Sequence, residues 1–367
     1  MSDRADALAG VLRVRPGAAL PTIVSTRREL APSLGRGLDA DELPRQLSRV
    51  FALCGGAHQV GATLAVRAAR GDAGAVDDGL RAALRVDTLR EHLRRLWLDW
   101  PRLLPALPPP DPAALASCTL LRAPQARHDL WAEACAWAAL HLFGQPVADW
   151  LDAWIADPGG HAARWAQSSS TWPALALSGL RAQLRGRRQR VCALAAPASA
   201  LELQRLSAQL HATEGFALAP TWRGHTAETG CWTRLADPAA GGEAACYAPL
   251  WMRHAARLAD LARLLQPGGE RALALGALAT GPGLGLGWCE MARGLLLHAV
   301  QLGADGRVAD ARLVAPTEWN FHPFGSAARA LTQLQAQADE TTVRAVLAAY
   351  DPCVTVQVLR DTEFEHA

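Results

Sequence analysis

A guanidinium and a hydroxyl stand at the two ends of one stretch, Gly287 to Pro323. Glu290-Met291-Ala292-Arg293-Gly294 precedes an apolar-rich run, Leu295–Leu302, and a second run, Arg307–Ala315, leads into Pro316-Thr317-Glu318-Trp319-Asn320. Between the runs lies Gly303-Ala304-Asp305-Gly306, where Asp-Gly supplies the positive φ angles of a tight turn, so the stretch reads as a β-hairpin. Hairpin geometry brings Arg293 and Thr317 to the same end of the ribbon. Two hydrogen-bond donors, one of them charged, then share one small space.

Several elements must position that end. A helix is expected from Asp39 or Asp41, with Leu43, Leu47, Val50 and Phe51 on one face, stopping at Gly55-Gly56 and leaving Cys54 at its C-terminus. There the helix dipole disfavours a thiolate, so a thiolate needs a cation or a metal nearby, and Arg293 is the candidate. Small residues from Ala57 to Ala69 predict a closely packed second helix, and Val76–Trp97 a third with a solvated basic face. Short strands are expected at 8–15 and 20–25, and further helices at 198–213, 248–265, 325–338 and 340–349, where Pro352 ends the last before Cys353. From Pro112 to Pro173 the pattern is helical and rich in tryptophan; these rings fill space between helices or form a docking surface. The fold class is mainly α with small β elements (α+β), read as a single domain over 1–367 with an internal bend or linker at the prolines of 101–112.

The hairpin frame, E-x-x-R-G, strand, D-G turn, strand, P-T-x-W-N, resembles the large subunit of [NiFe]-hydrogenases, where it walls in the diatomic ligands of iron. Asp351-Pro352-Cys353 resembles the start of the family's D-P-C-x-x-C-x-x-H, and Arg49-Val50-Phe51-Ala52-Leu53-Cys54-Gly55-Gly56-Ala57 its R-I-C-G-x-C. Trp222-Arg223-Gly224-His225-Thr226-Ala227-Glu228-Thr229-Gly230 is similar to its G-x-P-x-E-V-G segment. The pieces follow the family's order from residue 36 to 353. The fold this implies is a helical core with the β-hairpin beside the site.

The departures set the function. The second cysteine of each pair, which bridges nickel and iron in the enzyme, is replaced by Ala57 and Val356; the C-terminal His falls on Leu359, and Arg15 stands where the enzyme has its proton-transfer Glu. The chain therefore resembles the HupK/HoxV group of hydrogenase-assembly proteins. The resemblance implies a non-catalytic scaffold that takes an Fe(CN)2(CO) unit from a HypC-like chaperone and passes it to the hydrogenase large subunit, with no nickel. Cys54 and Cys353 are its expected iron ligands, soft donors that suit such iron. Arg293, Thr317 and Pro316 would hold the cyanides, with Asp351 and His58 behind them; His58 also reads as a helix-start histidine with no metal role. The alternative is a metal-free pseudo-subunit that binds hydrogenase subunits or chaperones during assembly.

Composition excludes other classes. The 37 basic residues, all Arg, nearly balance 35 acids, and a net charge of +2 gives no reason to expect nucleic acid or a membrane as partner. Eight cysteines without repeated spacing suit a reducing compartment, the cytoplasm. Ser25-Thr26-Arg27-Arg28 is not an export signal, because no apolar region follows. The uncharged span Ala272–Cys289 is too glycine-rich for a membrane helix and reads as buried core backbone; its glycines fit neither nucleotide-loop template. Arg185, Arg187, Arg188 and Arg190 read as a solvated loop or a docking site for an acidic partner. Cys118, Cys135, Cys192, Cys231 and Cys246 lack metal-type spacing and a histidine in register, Cys289 reads as a buried small residue, and Glu228 and Glu290 as partners of buried arginines.

Overall fold

The computed structural model describes residues 9–51, 53–122, 130–190, 192–194, 199–235 and 247–360, and every structural statement below concerns these; Ala52 and Cys246 lie outside them. The strands are β1 (Val11–Val14), β2 (Ile23–Ser25), β3 (Arg188–Arg190), β4 (Tyr247–Pro249), β5 (Leu275–Gly281), β6 (Leu284–Met291), β7 (Gly294–Leu302), β8 (Val308–Val314) and β9 (Thr355–Val358). They form sheets of order β2-β1-β9, β3-β4 and β5-β6-β7-β8. Helices dominate the rest. Those that bear on the site are α1 (Leu43–Val50), α2 (Gly55–Ala69), α3 (Asp78–Arg94, continued by a π-helical turn at Arg95–Asp99), α4 (Trp251–Leu265), α5 (Pro316–Asn320) and α6 (Glu340–Ala349).

The expected hairpin is β7–β8, the outer half of a four-stranded antiparallel meander. Its turn carries a positive φ at Gly306 alone, and the register slips between Gln301 and Leu302, so it is a bulged turn rather than one with two left-handed residues. The span expected to be buried core backbone is the hairpin β5–β6, and most of β6 is buried. Two of its glycines serve helix packing: a Cβ on Gly285 would stand 2.1 Å from the Ala65 carbonyl oxygen, and one on Gly287 2.4 Å from that of Gly61. Helix α2 therefore lies on β6 at backbone contact. That needs small residues on both surfaces, as Ala57 to Ala69 supply.

Other expectations change in detail. Helix α1 stops at Val50, before the glycine pair, and Gly55-Gly56 open α2 instead: a Cβ on Gly55 would stand 2.6 Å from the Ser48 carbonyl oxygen. The third helix is not simply a solvated basic face, because Arg85, Glu91 and His92 are buried. The helix expected at 325–338 spans only Ser326–Thr332, and part of the expected arginine loop is strand β3 paired with β4. The tryptophans do fill space between helices. Trp150 stacks with Trp154 at 5.8 Å and meets Trp165 edge-on at 5.5 Å, and the Trp165 and Trp137 indole N–H groups donate to the Phe143 and Ala114 carbonyls. No helix among the described residues is long and apolar enough to cross a membrane.

Candidate functional site

Cys54 and Cys353 arrive from opposite ends of the chain and line one cavity of about 310 Å3. Cys54 is the N-cap of α2, not a helix C-terminus, so the dipole there favours a thiolate rather than opposing it. Burial nevertheless pushes its thiol up to about 12; Arg293 pulls it down and Cys353 pushes it up, so the two sulfurs are within electrostatic reach of each other. Cys353 follows a sharp reversal at the end of α6, where Asp351 adopts φ 57°, a left-handed conformation that aspartate tolerates. Thr317 Oγ1 donates to Cys353 Sγ at 3.0 Å. Both cysteines are free thiols.

Arg293 sits in the two-residue turn between β6 and β7, 2 % exposed. Its Nη2 pairs with Glu91, and its Nε lies 3.9 Å from Asp351, too far for a hydrogen bond. Its Nε and Nη1 are buried without a hydrogen-bond partner. Burial lowers the pKa of Arg293, but Asp351, Glu91 and the two cysteines more than offset this and raise it, so the cation is secure. Asp351 also pairs with Arg257 at 2.5 Å and Arg95 at 2.7 Å; these arginines overcome its burial and hold it below the usual carboxylate range.

Asn320 ties the pieces together: its Oδ1 accepts from the Thr229 N–H at 2.8 Å, while its Nδ2 donates to the carbonyls of Thr229 at 2.9 Å and Tyr350 at 3.1 Å. One side chain thus fixes α5, the Glu228–Gly230 segment and the end of α6. Gly294 (φ 124°) packs on Thr229 so closely that a Cβ would stand 2.5 Å from its hydroxyl. Glu228 and Arg253 form a buried two-point ion pair at 2.7 and 2.8 Å, and Glu290 lies 3.8 Å from Arg234, both as expected from sequence. Pro316 is buried as the first residue of α5.

His58 faces the same cavity from the first turn of α2, stacked on Phe51 at 4.2 Å with its Nδ1 3.1 Å from Nε2 of His298. Burial and His298 hold its pKa well below the ordinary value, so the ring is neutral.

No family model matches the chain. It is 39% identical to the hydrogenase expression/formation protein HoxV of Cupriavidus necator, over 97% of this chain and 96% of that one. The chain belongs to the HoxV/HupK family of hydrogenase expression/formation proteins. HupK of Rhizobium leguminosarum is 31% identical over 88% of this chain and 87% of its own. In three dimensions the chain is similar to the [NiFeSe] hydrogenase of Desulfovibrio vulgaris Hildenborough, with TM-scores of 0.53 and 0.55 at 14% identity over 90% of this chain and 92% of that one. That likeness gives a HoxV/HupK-family chain the fold of a hydrogenase large subunit.

Sequence reasoning missed four residues at the site of this HoxV/HupK-family protein. Arg27, weighed only as half of an export signal, places Nη1 3.8 Å from Cys353 Sγ and its Nε on Glu318 at 2.5 Å. Glu318 is the unremarked residue of P-T-x-W-N. Glu91 lies in the helix expected to show a solvated basic face, and Arg257 in the helix expected at 248–265, whose charged residues carried no expectation. Three residues apart, Glu91 and Arg94 were the available signal for Glu91, and they do pair.

Contrary to expectation, Cys231 has a histidine neighbour: His92, Cys231 and Asp260 place donor atoms within 4.8 Å of one another. Arg257 donates to His92 Nδ1 at 3.0 Å, which leaves Nε2–H to donate to Asp260 at 2.8 Å. Both ring nitrogens are engaged, and Arg234 on Asp260 already supplies the positive charge a metal would bring. The cluster is a brace, joined through Arg257 to Asp351.

Proposed function

We propose that this protein is a non-catalytic carrier which binds Fe(CN)2(CO) between Cys54 and Cys353, taking it from a HypC-like chaperone and passing it to the hydrogenase large subunit. The observation that carries the reading is Arg293, buried within electrostatic reach of both thiols though not among the residues that line their cavity, with two nitrogens, Nε and Nη1, that find no acceptor in the protein. An unpaired buried donor is costly, and a cyanide nitrogen would relieve it. Each thiol gives up a proton to solvent as its sulfur takes iron, and the charge of Arg293 favours that loss. Carbon monoxide accepts little and is suited by the apolar side of the cavity, which includes Leu30, Val50 and Leu313.

Ala57 and Val356 supply no thiolate where the enzyme family has its bridging cysteines, so two ligand sulfurs are left, too few for a nickel site of that kind and suited to reversible holding. The test is infrared spectroscopy of the protein purified after co-production with the maturation machinery. Cyanide and carbonyl stretches are expected in the unsubstituted protein and lost in both Cys54→Ala and Cys353→Ala. Their absence from the unsubstituted protein, with partner binding unchanged by the two substitutions, would instead favour a metal-free pseudo-subunit.

A further inference from the structure

Two cations lie within electrostatic reach of the thiol pair, and they are held differently. Arg293 is locked in the core, with its side chain 1% exposed. Arg27 comes from the segment between β2 and the short helix Ala31–Gly35, lines the cavity, and has a side chain 12% exposed. Its Nε donates to Glu318 Oε1 at 2.5 Å, and its Nη1 donates to the Ala9 carbonyl at 3.2 Å and reaches Cys353 Sγ at 3.8 Å. Glu318 is only half satisfied: its side chain is 6% exposed, and Oε2 is buried with no hydrogen-bond partner. A buried carboxylate held beside the sulfur through one oxygen occupies the arginine as an anionic ligand would.

We propose that Arg27 exchanges partners. It pairs with Glu318 while the cavity is empty and donates to a cyanide nitrogen of the iron unit once the cavity is filled; Glu318 competes to take it back and so favours release. This rests on the carrier reading and gives that reading a means of letting go. Iron(II) with two cyanides and two thiolates is a dianion, and a dianion taken out of water requires cations close by. Either thiolate raises the guanidinium of both Arg27 and Arg293, so both cations stand within reach of both sulfurs. The planar fork of an arginine presents several N–H groups, so a small turn of the side chain moves it from one acceptor to another.

The two partners of the pair predict opposite effects. Arg27→Met, Arg27→Lys and Glu318→Gln are each co-produced with the maturation machinery beside the unsubstituted protein. The readouts are iron per chain after gel filtration in dithiothreitol, and the cyanide stretching frequencies. Arg27→Met should retain roughly tenfold less iron, the worth of one charge-assisted hydrogen bond, and shift a cyanide band. Glu318→Gln should retain iron longer than the unsubstituted protein. If Arg27→Met does not fold, Arg27→Lys, which keeps the charge and loses the fork, should shift the same band and hold an intermediate amount. Arg27 and Glu318 variants that change iron retention in the same direction, or leave the bands unmoved, would show an ordinary structural ion pair and overturn the exchange. An unsubstituted protein without bands removes the carrier reading, and this inference with it.

Discussion

Thr317 Oγ1 and Cys353 are joined in both directions: the hydroxyl donates to Sγ at 3.0 Å, and the Cys353 N–H donates back to the same oxygen at 3.4 Å. The hydroxyl therefore fixes both the sulfur and the backbone of the turn that carries it. Thr317→Val keeps the shape and removes these bonds. It should cost about 1 kcal/mol in urea unfolding, and in iron-loaded protein it should move a cyanide band without abolishing iron binding.

Arg293 is the common partner of Glu91 and Asp351. Arg293→Met leaves Glu91 to Arg94 and Asp351 to Arg257 and Arg95, so each carboxylate keeps a cation and a destabilisation of about 1–3 kcal/mol is expected. Arg293→Lys keeps the charge but not the planar fork and should be milder. Equal losses from the two, measured by chemical denaturation, would mean that geometry rather than charge carries the effect.

Gly287 is a steric requirement. A methyl group there would stand 2.4 Å from the Gly61 carbonyl oxygen and 2.5 Å from the Ala65 nitrogen, both backbone atoms of α2. Gly287→Ala should therefore push α2 off β6 and cost at least about 1–3 kcal/mol. Because α2 begins at Cys54, native alkylation of Cys54 should quicken in parallel. Gly306→Ala is a useful contrast: nothing lies near a Cβ at that position, and only its φ of 77° is strained, so the expected loss is smaller.

Acid should act through buried histidines first. Burial holds His298 at about 3 and His254 at about 4, so both are neutral in the folded protein, while in the unfolded chain they titrate near 6.5. Between these values the unfolded chain binds more protons. The stability they confer is complete above about pH 6.5 and falls as the pH drops, by up to about 1.4 kcal/mol per pH unit for each histidine. Asp351 and Asp260, held low by arginines against their burial, add their own loss only below about pH 4. Urea midpoints between pH 7.5 and 4.5 should fall steadily; a flat profile would contradict the neutral buried pair His58–His298.

The hairpin with its two functional ends was legible because β7 and β8 carry apolar runs about a turn, and the flanking signatures are long. The rest of that sheet was not. The glycines of 281–287 weaken any strand signal, and the reason for Gly285 and Gly287 is a helix distant in sequence that settles on them. Cys54 and Cys353 could be named, but not the side of a helix end on which Cys54 lies, since Gly55-Gly56 reads equally as a stop or as a close approach. Arg27, Glu91 and Arg257 were hidden for a common reason: the groups that pair with them, Glu318, Arg293 and Asp351, lie far away in the chain.

Strand β1 pairs in parallel with β9, Val11 opposite Thr355, two residues beyond Cys353. The turn that carries Cys353 is thus steadied from two directions, by the Thr317 hydroxyl and by a strand drawn from the opposite part of the sequence. A change that unzips β1 from β9 should loosen that sulfur without touching any group beside it.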